Sequence, residues 1–134
     1  MSITLNLEID PRLRFEDLRK VFDAAGLDGV EADDSEIKAD FRESRMAVSA
    51  QRRDDLPDLL IEGLDSPDRW QVGSRVIFHY QIATPELCNQ EVSRFIKVLE
   101  LASPAYFALS FQYENVYALR DRRGLRFVDG AGLE

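Results

Sequence analysis

The sequence is poor in the residues that most often carry chemistry. Its 134 residues include one cysteine, Cys88, and one histidine, His79. A single cysteine excludes an internal disulfide and a multi-cysteine metal site, and it fits a reducing compartment. No apolar run approaches the roughly 18 residues of a membrane span, and the N-terminus lacks the basic start and continuous apolar core of a signal peptide. These absences predict a cytoplasmic protein that does not enter a membrane.

Motifs for catalysis and cofactor binding are also missing. The sequence has no glycine-rich phosphate loop, no C-x-x-C or H-x-x-x-H pair and no G-x-S-x-G turn. A catalytic pair of His79 and Cys88 is disfavoured, because Cys88 falls on an apolar helical stripe where a thiol is usually inert. Paired carboxylates act through spatial rather than sequence spacing, so an enzyme with a carboxylate-based or metal-dependent site is the one catalytic alternative that stays open. We therefore expect a protein that is not an enzyme and that has no cofactor and no resident metal.

Negative charge dominates the composition. The chain has 25 acidic and 17 basic residues, which gives a formal net charge of −8 at pH 7. Non-specific binding to nucleic acid needs a basic face, so we expect no nucleic-acid partner. An acidic surface instead accelerates association with a basic protein. The composition therefore favours a protein partner of opposite charge.

Hydrophobic periodicity predicts a single α+β domain over residues 1–134. Two helices are expected, at 15–25 and 84–101, the second beginning with a capping Thr84 and with Pro85 at its first position. Period-two alternation predicts strands at residues 2–9, 36–42, 45–51, 70–82 and 107–113. A short strand is also expected at 59–62, after Pro57, and a terminal hairpin at 116–121 and 125–128, with Gly124 in its turn. This order favours a two-layer sandwich with both helices on one face of a mostly antiparallel sheet, and it is compatible with a ferredoxin-like element. The tail, residues 129–134, is expected to be frayed.

The most distinctive stretch is VEADDSEIKADF, residues 30–41, which is read as an acidic loop that leads into a strand. It carries four acids in six positions, Glu31, Asp33, Asp34 and Glu36. These acids do not follow the ligand spacing of an EF-hand, which leaves only weak calcium or magnesium binding as a metal hypothesis. A solvated loop and a surface that faces a partner are the other two interpretations.

A second acidic segment supports the partner-facing interpretation. Residues 28–40 hold six acids and one base, and residues 54–68 hold six acids and no base. The two segments flank a predicted hairpin, so their charges are expected to sum to one negative surface. The candidate contact residues of the second segment are Asp54, Asp55 and Asp58.

The stretch FQYENVYALRDRRGLRF, residues 111–127, is the second candidate contact surface. It combines aromatic rings with arginines, and tyrosine and arginine are favoured at protein interfaces. Its candidate contact residues are Tyr113, Tyr117 and Arg120. Two other interpretations remain: RNA binding by stacking, which the net charge disfavours, and a plain hairpin with its rings in the core and its arginines in water or paired to the acidic segments.

In size, in strand–helix order and in its two acidic segments, the chain resembles the small acidic immunity proteins that bacteria pair with secreted toxins. The resemblance is one of general character without a family motif, so it assigns no functional residue. It implies a stoichiometric inhibitor that covers the active site of a basic toxin domain in the cytoplasm. The alternative is a small acidic chaperone or adaptor for a secreted effector, which would bind through strand edges or apolar grooves, usually as a dimer. The sequence does not decide between a monomer and a homodimer.

Overall fold

The computed structural model describes residues 3–62, 64, 66–128 and 132–133. Within them, two helices lie on one face of an eight-stranded antiparallel sheet, which confirms the predicted α+β sandwich. The helices are α1 (Phe15–Ala24) and α2 (Pro85–Ala102). The strands are β1 (Ile3–Ile9), β2 (Leu27–Ala32), β3 (Glu36–Phe41), β4 (Ala47–Arg52), β5 (Ser74–Tyr80), β6 (Phe107–Phe111), β7 (Asn115–Asp121) and β8 (Gly124–Phe127).

The strand order across the sheet is β2-β3-β4-β5-β1-β6-β7-β8. Every neighbouring pair is antiparallel, so β4 and β1 run parallel with β5 between them, and β5 and β6 run parallel with β1 between them. The connection within each of these parallel pairs contains a helix, which is the split βαβ pattern of a ferredoxin-like element. Strands β2 and β3 extend this element at one edge, and β7 and β8 extend it at the other.

The core lies between the helices and the strand side chains that face them. Leu5 and Leu7 of β1 are buried on this side of the sheet. Phe95 of α2 packs edge-on against Phe22 of α1, with 5.4 Å between ring centroids, and against Phe78 of β5, with 5.3 Å. This aromatic cluster joins both helices to the centre of the sheet, and the edge-to-face geometry adds to the energy of burying the rings.

Both ends of α2 can be explained from neighbouring residues. Pro85 occupies the first turn, where its missing N–H is not needed, but the expected cap is wrong because the Thr84 side chain makes no capping hydrogen bond. At the other end, Arg120 donates to the main-chain oxygens of Glu100 and Ser103. It thereby satisfies carbonyls that have no partner within the helix.

Within the described residues, neither α1 nor α2 has the length and apolar content that crossing a membrane requires.

Two predicted segments differ from the structure. Residues 27–32, expected to be a loop, form the edge strand β2. Residues 59–62, expected to be a strand, belong to no strand, and the described part of this region contributes only an isolated bridge between Asp58 and Gln71. The strand expected at 70–82 is shortened to β5. The connection from β4 to β5 is therefore long and mostly irregular.

This connection, residues 53–73, lies across the face of the sheet opposite the helices, and we name it the strap; residues 63 and 65 within it are not described. Its Ile61 is buried against Ala108 of β6 and Leu119 of β7. It returns to the sheet through Gly73, where a Cβ would lie only 2.5 Å from the Cα of Pro11. The strap covers the β1, β6 and β7 part of this face and leaves the outward side chains of β2, β3 and β4 exposed or half-exposed.

The end of the chain is described only in part. Leu133 is buried in the main core, which differs from the expectation of a frayed tail. The same expectation for residues 129–131 and 134 lies outside the described residues.

Cys88 provides a test of which side of α2 faces the core. It is fully buried, with its thiol 4.0 Å from the main-chain oxygen of Gln81. We expect a thiol reagent to label Cys88 slowly in the native protein and fast in denaturant, because burial blocks access to the sulfur. Mass spectrometry of labelled samples over time gives both rates. Equal rates in the two conditions would contradict the packing of α2.

Candidate protein-binding surface

The acidic segment 28–40 forms the β2–β3 hairpin at one edge of the sheet. The register pairs Asp28 with Asp40 and Glu31 with Lys38 across the two strands. Successive strand residues point to opposite faces, and the intervening residues of β3 are buried beneath the helices. The charged residues therefore point away from the helices, and Glu36 shares their side of β3. Four of the six acids in this segment thus lie on one sheet face.

We call the part of this face that the strap leaves uncovered the open face. It consists of the outward residues of β2 to β5, namely Asp28, Glu31, Glu36, Lys38, Asp40, Ala47, Ser49, Gln51, Ile77 and His79. Because these residues are on paired strands of a sheet, backbone hydrogen bonds fix the relative positions of their main chain.

Small side chains on β4 leave a trough in the middle of the open face. The paired residues across β3, β4 and β5 form two rows, Asp40–Ala47–His79 and Lys38–Ser49–Ile77. Ala47 and Ser49 form the floor, and the larger residues of β3 and β5 form the two sides. Since neighbouring strands are spaced by about 4.8 Å, the sides are roughly 10 Å apart. A depression of about 450 Å³ lies over this floor and extends past β3 to Gly29 and Glu31 of β2.

Some carboxylates of the open face are paired and others are not. Arg42 donates to both carboxylate oxygens of Asp28, at 2.8 and 3.1 Å, and these hydrogen bonds lower the pKa of Asp28 below its ordinary value. The Lys38 ammonium lies 3.2 Å from the carboxylate of Glu36. Glu31 and Asp40 form no ion pair within the part of the chain that the structure describes. Asp40 and Glu31 both line the depression, so two carboxylates without an ion pair lie at its β2 and β3 side.

The other two acids of the segment, Asp33 and Asp34, lie in the turn between β2 and β3. The carboxylate of Asp33 accepts the N–H groups of Ser35 and Glu36, each at 2.8 Å, and these bonds lower its pKa. Asp34 is exposed, and its carboxylate has no ion-pair partner among the described residues. The turn is thus held in one conformation with both carboxylates in solvent.

The strap begins beside this turn. Arg52, the last residue of β4, donates to the carboxylate of Asp54 at 2.6 Å and to the main-chain oxygen of Asp34 at 3.4 Å, so it joins the two acidic segments. Asp55 is paired with an arginine at 3.1 Å. The side chains of Asp54 and Asp55 are 77% and 63% exposed, and Asp58 is exposed further along the strap. This end of the sheet is therefore a mixed surface of acids and arginines, beside the more acidic open face.

The three residues of the second candidate surface do not lie together. Tyr113 is half-buried in the turn between β6 and β7, and its main-chain oxygen accepts the N–H of Glu62 in the strap. Tyr117 is half-buried at the side of the core, with its ring stacked on Phe111 at 6.4 Å between centroids. Arg120 is bonded to the end of α2. Contact of these residues with a partner stays a prediction. The stacking of Tyr117 on Phe111 and the hydrogen bond of Arg120 to the end of α2 already stabilise the fold.

Sequence reasoning missed the buried acid that fixes the strap. Glu8 of β1 is 1% exposed, and its carboxylate accepts the N–H groups of Leu60 and Ile61. Arg75 of β5 donates to the same carboxylate through two guanidinium nitrogens, at 3.1 and 3.2 Å. The alternation of β1 places Glu8 on the outward side, where the sequence predicts solvent. The sequence did contain one signal that the strap covers this face: the apolar run after Pro57 has to be buried against another surface.

A second buried acid, Asp121, joins the far end of the strap to the β7–β8 hairpin. Its carboxylate accepts the hydroxyl of Ser66 at 2.6 Å and the guanidinium of Arg126 at 2.9 Å. These hydrogen bonds, above all that of Arg126, hold the pKa of the Asp121 carboxyl well below its usual range. The strap is thus anchored to the sheet at two separate charged residues.

The residues that most often act in catalysis are on opposite sides of the sheet. His79 is exposed on the open face, and Cys88 is buried in the helix layer. Across the described residues, no three His, Cys, Asp or Glu side chains are grouped as metal ligands are.

No family model, curated protein or solved structure matches this chain. The class of protein is therefore defined by the fold and the surface alone, as an α+β domain that presents an acidic sheet face.

Proposed function

We propose that this chain is a cytoplasmic binding protein that recognises a basic protein partner through the open face. The observation that carries the proposal is the placement of Asp28, Glu31, Glu36 and Asp40 on one uncovered face of the sheet. A negative surface steers a basic partner into encounter and orients it. Because paired strands hold the main chain of these residues in place, little ordering of the backbone is needed when the partner binds.

The partner is a bacterial toxin, and the chain is the immunity protein that neutralises it by stoichiometric binding. Toxins that act on nucleic acid need a basic surface to bind their substrate. An acidic protein that covers this surface blocks access of the substrate. Because the toxin needs its basic residues to bind its substrate, it retains the positive charge that attracts the acidic protein. The net charge of −8 supports this proposal.

The direct test is to express the chain with the product of a toxin gene that lies beside its own gene. The proposal expects a one-to-one complex in light scattering and loss of toxicity when the two are produced together. A neighbouring toxin that stays fully toxic in the presence of an excess of the chain, or that does not bind it, would overturn the proposal.

Replacing both Asp33 and Asp34 by asparagine is expected to slow association with the toxin, most strongly at low salt. Charges at the rim of an interface act mainly on the association rate, and salt screens them. Asparagine retains an acceptor oxygen for the turn that Asp33 organises, so the fold is expected to be kept. Stopped-flow association rates at low and high salt measure the effect.

The matched control is the double replacement Asp23→Asn and Glu114→Gln, which removes the same charge from exposed positions on α1, behind the sheet, and in the turn between β6 and β7. It is expected to change the association rate less. If the control and the Asp33 and Asp34 variant slow association equally, only the net charge matters and the placement of the acids does not.

One observation favours the chaperone or adaptor as a second candidate. A groove of about 410 Å³ runs along α2 beside the end of the chain, with Val98, Leu101 and Leu133 among its apolar residues. Leu101 is 87% exposed there. A chaperone would use such a groove for an unfolded apolar segment of an effector. A stable dimer that protects an effector segment from proteolysis, with Leu101→Ser removing the protection, would favour this candidate over the immunity protein.

A further inference from the structure

We infer that the trough of the open face receives one arginine side chain of the basic partner. This inference rests on the proposed function and specifies the chemistry of the partner residue at the centre of the contact. The guanidinium would lie at the carboxylate of Asp40, and the aliphatic part of the side chain would lie along Ala47.

The shape of the trough fits a single long side chain. Its floor is formed by the small residues Ala47 and Ser49, and its sides are two strand spacings apart, or roughly 10 Å. This width admits one extended side chain and is too narrow for a helix, whose diameter is about 10–12 Å with its side chains. The methyl group of Ala47 is exposed on the floor, so an aliphatic stem removes apolar surface from water when it lies against it.

The two sides differ in the groups that they offer to a cation. Asp40 on β3 is exposed and has no ion pair among the described residues, whereas the imidazole of His79 is on the opposite side in the same row. Lys38 stands one row away, and its ammonium is 3.2 Å from Glu36, on the side away from Asp40 along β3. A cation in the trough therefore meets an available carboxylate rather than one that is already neutralised.

These groups favour arginine over lysine. A guanidinium donates two parallel hydrogen bonds to one carboxylate, while its planar face stacks on a ring such as that of His79. A lysine ammonium is a compact, strongly hydrated charge that gains neither of these contacts. The partner is thus expected to present an arginine that lysine does not replace.

The test uses the intact chain and a blocked arginine, N-acetyl-arginine methylamide, followed by amide-resolved NMR at neutral pH and low salt. We expect the amide signals of Ala47, Ser49 and His79 to shift in a saturable way. N-acetyl-lysine methylamide is expected to bind roughly tenfold more weakly, which corresponds to about 1.4 kcal/mol. Equal shifts with both compounds, or shifts that centre on the strap carboxylates, would overturn the inference.

Two variants with matched controls locate the site. Ala47→Leu fills the trough without changing any charge, and Asp40→Asn removes the carboxylate; both positions are exposed, so the fold is expected to be kept. Each is expected to weaken binding of the arginine compound by roughly tenfold or more. The controls Ala24→Leu and Asp23→Asn make the same changes at exposed positions of α1 and its end, and they are expected to leave binding unchanged. Binding that survives Ala47→Leu would show that the trough is not the site.

This inference and the proposed function fail in different experiments. Suppose that the arginine compound does not bind the trough, but the toxin complex forms and its association rate falls when Asp33 and Asp34 are replaced. The inference is then wrong and the proposed function stands. If the compound binds at Ala47 while no basic toxin is neutralised, the arginine site stands and the proposed function is wrong.

Discussion

Replacing Phe95 by alanine is expected to lower the free energy of unfolding by about 3–5 kcal/mol. The Phe95 ring is fully buried and packs edge-on against Phe22 of α1 and Phe78 of β5. Its removal therefore loses the burial of a large ring and two aromatic contacts, and it leaves a cavity where three elements meet. Chemical denaturation followed by circular dichroism measures the loss.

The matched control is Leu101→Ala, on the same helix at 87% exposure. This replacement is expected to change stability by no more than about 0.5 kcal/mol, because it removes little buried surface. If Phe95→Ala costs less than about 1 kcal/mol, well below the usual range for a buried ring, the side of α2 that faces the core is not the one described.

The strands that the sequence predicted are those with unbroken period-two alternation. In β1, Leu5, Leu7 and Ile9 face the helices and the residues between them face the other way, so alternation alone identifies the strand. The same pattern predicted β3, β4 and β6. In these segments the large apolar side chains alternate because they face the helices, and this holds even in β1 and β6, whose other face is buried beneath the strap.

Strand β2 was missed because a bulge breaks its alternation. Asp28 pairs with Asp40 and Glu31 pairs with Lys38, so two residues of β2 stand opposite one residue of β3. The extra residue shifts the pattern by one position, and Gly29 adopts a positive φ of 61° there. A glycine between acidic residues is typical of a loop, and only the pairing with β3 makes it part of a strand.

Residues 59–62 were wrongly predicted as a strand because their apolar character reflects burial against the sheet and not pairing with a neighbouring strand. Ile61 is buried as a strand residue would be, but the N–H groups of Leu60 and Ile61 bind the carboxylate of Glu8 rather than a neighbouring strand. Sequence periodicity reports which side chains are buried. It does not report which acceptor satisfies the main chain.

The sequence predicted the charge of the candidate surface but not its shape. The acids of segment 28–40 were identified, yet their division between the sheet face and the turn at Asp33 depends on β2, which was not predicted. The trough depends on Ala47 and Ser49 standing between larger residues of two other strands. That arrangement follows from strand order and register, which no local stretch of sequence contains.

Replacing Glu8 by alanine is expected to cost about 3–5 kcal/mol of stability and to release the strap. The change leaves the Arg75 guanidinium, whose side chain is 13% exposed, without its carboxylate partner. It also leaves the N–H groups of Leu60 and Ile61 without an acceptor. An uncompensated buried charge and unbonded donors are among the few causes of so large a loss. Chemical denaturation measures the stability, and limited proteolysis within residues 53–73 measures the release.

Two controls separate the ion pair from a general effect of removing an acid. Glu31→Ala removes an exposed carboxylate from the open face and is expected to change stability by no more than about 0.5 kcal/mol. The double variant Glu8→Met with Arg75→Met removes both charges, so it is expected to be more stable than Glu8→Ala, because no charge is left buried alone. It leaves the Leu60 and Ile61 donors unbonded, so its strap is expected to be cleaved faster than that of the unchanged protein. A strap that resists proteolysis in Glu8→Ala as well as in the unchanged protein would mean that the apolar contacts of Ile61 hold it without the carboxylate.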